Sequence, residues 1–445
     1  MPVSPSRLTA FDILMRVERH GAYASDLLRT ECKSLSESDQ ALTTELVFGV
    51  LRWRSLLDAQ FSAFSSQPFH RLDLEVVVAL RLAIYQIRRL SRVPVRAAIY
   101  ESVELVKRAR KKSAATFVNA VLRKFAANPP SLGDWEGQIQ KAQSVPELAG
   151  SSAHPQWMVE RWSQEFSFAA ALGLCGFDQQ VPPTFIRLRD HAAEADLCSE
   201  GISLTPGGFL SSARRVCFGD VTRTKVFADH RIVIQDEASQ LIAALVGRGH
   251  SILDGCAAPG GKTWAIADRN PRSRIVAVEL HAHRAEVLRK RIEAPNVEVW
   301  TGRLQDYPVT KLFDRVLVDV PCSGTGTLAR HPEIKWRLQM TEIDDLRSRQ
   351  LEILNTAMQH VAPKGRLVYS TCSLEPEEDE SVVSEAVVSN PAFQFLDCRL
   401  ELERLQRDGE WLAPGMDSFL RREFLRTLPG IHQCDGFFAA ILERA

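Results

Sequence analysis

Apolar residues along the first 128 positions recur at helical spacing. Leu8, Phe11, Leu14 and Val17 form one such stripe. Leu46–Arg52 and Leu80–Gln86 are further apolar-faced segments, and Val93-Pro94 interrupts the chain before another long helical pattern over 97–107. Residues 116–125 read as a last helix, and Asn128-Pro129-Pro130 ends the block. The polar stretch 131–152 reads as a linker. A helical pattern over 158–166 and short apolar runs such as Thr184–Leu188 predict a small α+β segment over 153–230. From residue 231 the pattern changes again. Five runs read as strands (251–254, 274–279, 297–301, 316–319 and 366–370), with helical stretches between most of them. That alternation predicts a parallel, doubly wound α/β domain over 231–445. The late run Gly436–Leu442 reads as an antiparallel strand added at the sheet edge.

Composition narrows the class. With 445 residues, 45% hydrophobic and 25% charged, the chain is expected to be a soluble protein of two or three domains. The N-terminus lacks a basic-then-apolar signal pattern and no apolar run is long enough to span a bilayer. The expected location is the cytosol, with no membrane partner. The nine cysteines are odd in number, and none forms a Cys-x-x-Cys pair or a Cys/His cluster with zinc spacing, so neither a disulfide framework nor a metal is expected. Formal net charge is zero, yet Arg81–Lys124 carries twelve Lys/Arg against two Glu. Such a strip suits either a phosphate backbone or an ordinary solvated helix face.

Two loops at predicted strand ends carry the chemistry. Ile252–Thr263 reads strand, Gly-rich turn, then helix from about Lys262. Its turn, Cys256-Ala257-Ala258-Pro259-Gly260-Gly261-Lys262, lets backbone approach a ligand, and the helix start offers unpaired N–H groups. Cys256 stands where a Walker A loop needs glycine, and Ala257 where a dinucleotide fingerprint needs its second glycine, so ATP and NAD are both disfavoured. Glu279, ending the next strand, is placed to accept both hydroxyls of a ribose. A ligand with a ribose and no polyphosphate, such as S-adenosylmethionine, meets that description. The second loop, Val318–Gly326, places Asp319 and Cys322 where α/β sheets bind their ligands. Cys322 is the first candidate nucleophile. A further thiol, Cys372, follows at the end of another predicted strand. A thiol, a methyl donor and a second thiol are what methylation of pyrimidine carbon 5 requires. Thiolate addition at carbon 6 makes carbon 5 nucleophilic, and a carboxylate at the N3 edge steadies the adduct, a role for Asp319.

Three segments in this order, Asp254–Lys262, Asp319–Gly326 and Tyr369–Ser373, resemble the Sun/Fmu (RsmB-type) family of bacterial ribosomal RNA cytosine-5 methyltransferases. Phe48–Arg52 and Asn119–Arg123 resemble that family's NusB-like RNA-binding domain, and Ile234–Ser239 its lead-in to the catalytic domain. The resemblance implies a multidomain protein: an all-α NusB-like domain over 1–130, the small α+β segment, and a Rossmann-like methyltransferase domain. It implies Cys372 as nucleophile and Cys322 as the thiol that helps release product, reversing the first assignment. It implies S-adenosylmethionine as cofactor and small-subunit (16S) ribosomal RNA as partner, with DNA excluded. A monomer is the default expectation. The family usually carries an acidic residue in the turn after the third strand, near the adenine. Here Arg303 stands there and the nearest carboxylate is Asp306, so Asp306 substitutes after a local shift or backbone and apolar contacts hold the adenine. Arg330, His331, Lys335 and Trp336, after the Pro-Cys loop, read either as an RNA clamp or as a surface loop with one packed Trp. The other functions considered are a non-catalytic RNA-binding assembly factor and the same reaction on transfer RNA or DNA.

Overall fold

The computed structural model describes residues 3–128, 134–292 and 294–445. Among these residues the chain divides into two compact units, 1–181 with 328–337, and 182–327 with 338–445.

The first unit is helical. Its opening helix, Pro5–His20, has proline in its first turn and stops at Gly21, which takes a left-handed conformation and returns its N–H to the Val17 carbonyl. Helices Pro5–His20, Glu37–Arg52, Arg54–Ser62, Val95–Arg108 and Ala115–Ala127 surround Leu74–Arg89, and Ala24–Glu31 packs on the first two of these. That central helix is apolar nearly all round and buries every residue from Val76 to Gln86. Arg81 therefore leaves the basic strip: it lies inside, paired with Asp58 at 2.6 Å and Glu18 at 2.9 Å. Arg89 packs between Trp53 and Trp135, and Lys107 and Lys111 pair with Glu104 and Asp73. Arg92, Arg96, Arg108, Arg110, Lys112, Arg123 and Lys124 stay exposed.

The described part of the polar 131–152 stretch is not extended linker. It forms helices Trp135–Lys141 and Val145–Ser151, whose Trp135, Ile139 and Leu148 are buried. These few apolar anchors outweigh the polar composition. Helices Gln156–Phe166 and Phe168–Asp178 complete the unit, so the α+β character begins only at Thr184. The remaining piece, Leu328–Arg337, is a plug. Lys335 is buried and its Nζ donates to the carbonyls of Arg52 and Ala153, both at 3.0 Å. Trp336 donates to the Leu51 carbonyl at 2.7 Å, and Glu333 accepts the Ala24 N–H at 3.1 Å. His331 meets the Tyr23 ring edge-on. Lys335 is thus withdrawn from the clamp reading, and the segment is buried, not a surface loop, although Trp336 is packed as that second reading had it.

The second unit holds two sheets. The smaller joins β1 (Thr184–Leu188), β2 (Ser203–Pro206), β3 (Ala213–Phe218) and β4 (Ile232–Ile234) in the antiparallel order β2-β3-β1-β4. The larger has nine strands: β5 (Ser251–Asp254), β6 (Arg274–Glu279), β7 (Val297–Thr301), β8 (Phe313–Asp319), β9 (Val361–Thr371), β10 (Phe393–Leu396), β11 (Leu420–Arg421), β12 (Phe424–Thr427) and β13 (Phe437–Arg444). Strands β7-β6-β5-β8-β9 run parallel, so the order reverses between β5 and β8, the crevice where doubly wound sheets bind ligands. β13 is antiparallel as expected but is not an edge. It lies between β9 and β12, with β10 also paired to it, because Phe437–Leu442 is apolar at every position and needs cover on both sides. No helix among the described residues is long and apolar enough to cross a membrane.

Burial pulls the Lys335 ammonium down to about 7 from its ordinary 10.5. Between those values the unfolded chain holds a proton that the folded chain lacks, so raising the pH favours folding. Relative to Lys335→Met, the wild type should gain about 2 kcal/mol of stability between pH 7 and pH 9. Urea titrations of both proteins across that range check the slope.

Candidate active site

The strand ends build the site. β8 pairs with β5, with Leu317 opposite Asp254, and with β9, with Asp319 opposite Ser370. Three loops therefore leave the same edge side by side: the Gly-rich loop after β5, the Pro-Cys loop after β8 and the Thr-Cys loop after β9.

In the Gly-rich loop the Gly255 N–H donates to Leu317 O at 2.8 Å and the Ala257 N–H to Val278 O at 2.9 Å. These bonds, on either side of Cys256, tie the loop to β8 and to β6, and Ala258 and the cis-linked Pro259 follow. Gly260 sits at φ 103°, and a Cβ there would lie 2.5 Å from Leu288 Cδ1, so only glycine fits before helix Gly261–Arg269 starts. Asp254 is buried. Its Oδ2 accepts from Thr263 at 2.7 Å, and its Oδ1 has no hydrogen-bond partner among the described residues. Burial, reinforced by the charge of Asp319, raises its carboxyl to about 6. Glu279 ends β6 with its Oε1 taking the His281 N–H at 2.9 Å.

Lys262 does not stay with the Gly-rich turn. Its Nζ donates to Asp319 Oδ2 at 2.6 Å and lies over the Phe437 ring. Burial works against the ammonium, but the attraction and hydrogen bond of Asp319 outweigh it and hold the group above its usual range. Ser370 donates to Asp319 Oδ1 at 2.8 Å. The carboxylate is thus fixed from both sides.

The two thiols meet. Cys322 and Cys372 sulfurs lie 3.3 Å apart, within S–H···S hydrogen-bond range. That bond, with burial and the nearby charges of Glu378 and Asp319, pushes the Cys322 thiol well above its ordinary value, so it holds its proton at neutral pH. The loops are also stitched through the backbone: Gly326 N–H donates to Cys372 O at 2.9 Å, and Leu374 N–H to Thr325 Oγ1 at 2.8 Å.

The expected site residues do not all converge. Arg303 is exposed and turned toward Glu352 at 3.3 Å, and Asp306 is exposed in the short 3-10 turn Leu304–Asp306. Sequence reasoning overlooked Asp254 and Glu378 as site residues. A carboxylate closing a strand, as at Asp319 and Glu279, was the available signal for Asp254; Glu378, six residues beyond its thiol, had none.

A profile of the 16S rRNA methyltransferase RsmB/F family matches residues 244–443, and a NusB-family profile matches residues 4–127. The Bacillus subtilis protein named "Probable ribosomal RNA small subunit methyltransferase B" is 31% identical, with 98% of each chain covered. The chain belongs to the RsmB/F methyltransferase family. A Klebsiella pneumoniae member, ribosomal RNA small subunit methyltransferase B, is 29% identical over 98% of this chain and 97% of its own. The crystal structure of PH0851 superposes over the whole of both chains with a TM-score of 0.80 at 20% identity, and a Pyrococcus horikoshii methyltransferase homolog covers 68% of this chain and all of its own with a TM-score of 0.57 at 24% identity. The N-terminal region is thus a NusB domain and the C-terminal one a Rossmann-like methyltransferase domain.

The cofactor of this family is S-adenosylmethionine. The loop fits it: the helix N-terminus after the close-packed Gly260 turn suits a ligand's carboxylate, and the buried Asp254 Oδ1, without a hydrogen-bond partner among the described residues, suits its cationic end.

Gly326 is where the RsmB/F site is tightest, since a Cβ there would stand 2.3 Å from the Gly436 carbonyl oxygen, which is backbone and cannot yield. Gly326→Ala should cost about 2 kcal/mol or more. Gly415→Ala, with open space around it, should stay within about 0.5 kcal/mol. Urea denaturation compares the two.

Proposed function

We propose that this RsmB/F enzyme methylates carbon 5 of a cytosine in small-subunit (16S) ribosomal RNA through a covalent cysteine–cytosine adduct. The observation that carries the reading is the 3.3 Å approach of two thiols at adjacent strand ends, beside a carboxylate that Lys262 and Ser370 hold in place. The family names of the relatives support the substrate.

S-adenosylmethionine, when bound, supplies an electrophilic methyl group. Glu279 would hold the ribose hydroxyls, Asp254 would meet the cationic end, and the backbone of Cys256–Gly261 would cradle the ligand. Arg303 is turned toward Glu352, which supports holding the adenine by backbone and apolar contacts. The target base must be unstacked to reach the thiols. The Cys372 thiolate, whose proton has gone to solvent, adds to carbon 6, and the electron pair displaced from the 5,6 double bond makes carbon 5 nucleophilic. Asp319 faces the N3 edge and orients the base, and the Lys262 ammonium paired with it offsets the negative charge that develops on the ring. After methyl transfer the carbon 5 proton must leave and the carbon 6–sulfur bond must break. Cys322 serves both needs: its S–H proton passes to the departing Cys372 sulfur as it takes the proton from carbon 5. A thiol held protonated beside the nucleophile is suited to that relay. The exposed arginines and lysines of the NusB domain supply phosphate contacts.

Bisulfite sequencing of ribosomal RNA from a deletion strain should lose one 5-methylcytidine, restored by wild type and not by Cys372→Ala, whose activity should fall by roughly 10³-fold or more. Cys322→Ala should accumulate a protein–RNA adduct on denaturing gels; an adduct trapped by Cys372→Ala instead would exchange the roles. Glu279→Ala should weaken S-adenosylmethionine binding about 10- to 100-fold by calorimetry, the loss of one or two charge-assisted hydrogen bonds.

A further inference from the structure

Beyond its charge near Cys322, Glu378 has no part in the chemistry described so far, yet its carboxylate is fully buried and takes four hydrogen bonds. Oε1 accepts from the Ser323 backbone N–H and from Gln350 Nε2, both at 2.8 Å. Oε2 accepts from the Ser323 hydroxyl and, at 2.6 Å, from the Ser373 hydroxyl. Ser323 follows Cys322, and Ser373 follows Cys372. One carboxylate thus holds the residue next to each thiol.

The surroundings point the same way. The nearby guanidinium of Arg426 is committed to Asp379 at 2.7 Å and to the Ser373 carbonyl at 3.0 Å, leaving Glu378 balanced by neutral donors. Gln350 also donates to the Pro321 carbonyl at 3.0 Å, so the same amide grips the Pro-Cys loop on the other side of Cys322. A buried carboxylate is costly unless every lone pair is occupied, and here the donors come from both thiol loops. A glutamine's single carbonyl oxygen could accept at most two of the four donors. A carboxylate can take all four donors at once.

We propose that Glu378 is a positioning residue that clamps the Pro-Cys and Thr-Cys loops together and sets the Cys322–Cys372 separation on which methyl transfer depends. It acts through the two serines and does not touch the base or the cofactor. The inference rests on the two-thiol reading of the site.

The thiol spacing can be read without any turnover. The full-length protein is treated with dibromobimane, a short bifunctional thiol reagent, and the Cys322–Cys372 cross-linked peptide is quantified by mass spectrometry. Methylation kinetics on 16S ribosomal RNA are measured in parallel. Glu378→Ala should cut cross-link yield at least fivefold and kcat at least tenfold, with the KM values for RNA and S-adenosylmethionine within about twofold. Glu378→Gln, which keeps one acceptor, should recover part of both. If Glu378→Ala does not fold, Ser373→Ala, which removes one of the four donors, takes its place with a smaller drop in the same two readouts. An unchanged cross-link yield overturns the proposal, even where kcat falls, because Glu378 would then act otherwise than by holding the thiols. A reduced yield with unchanged methylation overturns it too, by showing that thiol spacing does not govern the reaction and that the two-thiol reading itself fails.

Discussion

The in-register parallel pairing of Val316–Asp319 with Leu367–Ser370 is the constraint on which the rest depends. Parallel neighbours end at the same sheet edge, so the loops that follow them have to run alongside one another. Asp319 stands opposite Ser370, and the two thiols follow three and two residues later on their respective loops. A slip of one residue would turn every side chain of one strand to the other face of the sheet. It would part Ser370 from Asp319 and the serines from Glu378. The register is secured by apolar burial: Val316, Leu317, Val318, Leu367 and Val368 are all at most 1% exposed.

On that frame the site is assembled mostly from buried polar groups, each of which would be costly alone. Asp379 is held by Arg426 and Thr371, Glu378 by two serines, a backbone N–H and an amide, and Asp319 by Lys262 and Ser370. Satisfied networks of this kind rigidify what they connect. Asp254 is different: it is buried at the start of the Gly-rich loop with one carboxylate oxygen that has no partner among the described residues. An unmet acceptor at the reversal of a doubly wound sheet is where a ligand has something to offer.

The helical unit repeats the theme with different parts. The chain leaves the methyltransferase unit after Thr327, five residues past Cys322, and rejoins it at Leu338. Between those points Lys335 and Trp336 cap carbonyls at the end of helix Glu37–Arg52. A lysine there suits the negative end of a helix dipole. Burial is the opposing force, and it prevails in lowering the ammonium's affinity for its proton. Arg81 shows the same rule from another side. A guanidinium inside an apolar helix is tolerated because two carboxylates meet it.

Local chemistry alone determined a good deal. Strands buried on both faces read as continuous apolar runs, so the parallel strands of the catalytic domain were legible, as was the glycine turn whose backbone must approach a ligand. Asp319, Cys322, Cys372 and Glu279 were legible because each closes or directly follows such a run. Only the tertiary structure decided which strands are neighbours, and so that the thiols touch. It also decided that Lys262 serves Asp319, that Arg303 turns to Glu352, that β13 is interior and that 328–337 belongs with the helices. These are contacts between residues dozens to hundreds of positions apart. They depend on strand order and side-chain direction, which the pattern along one segment does not encode.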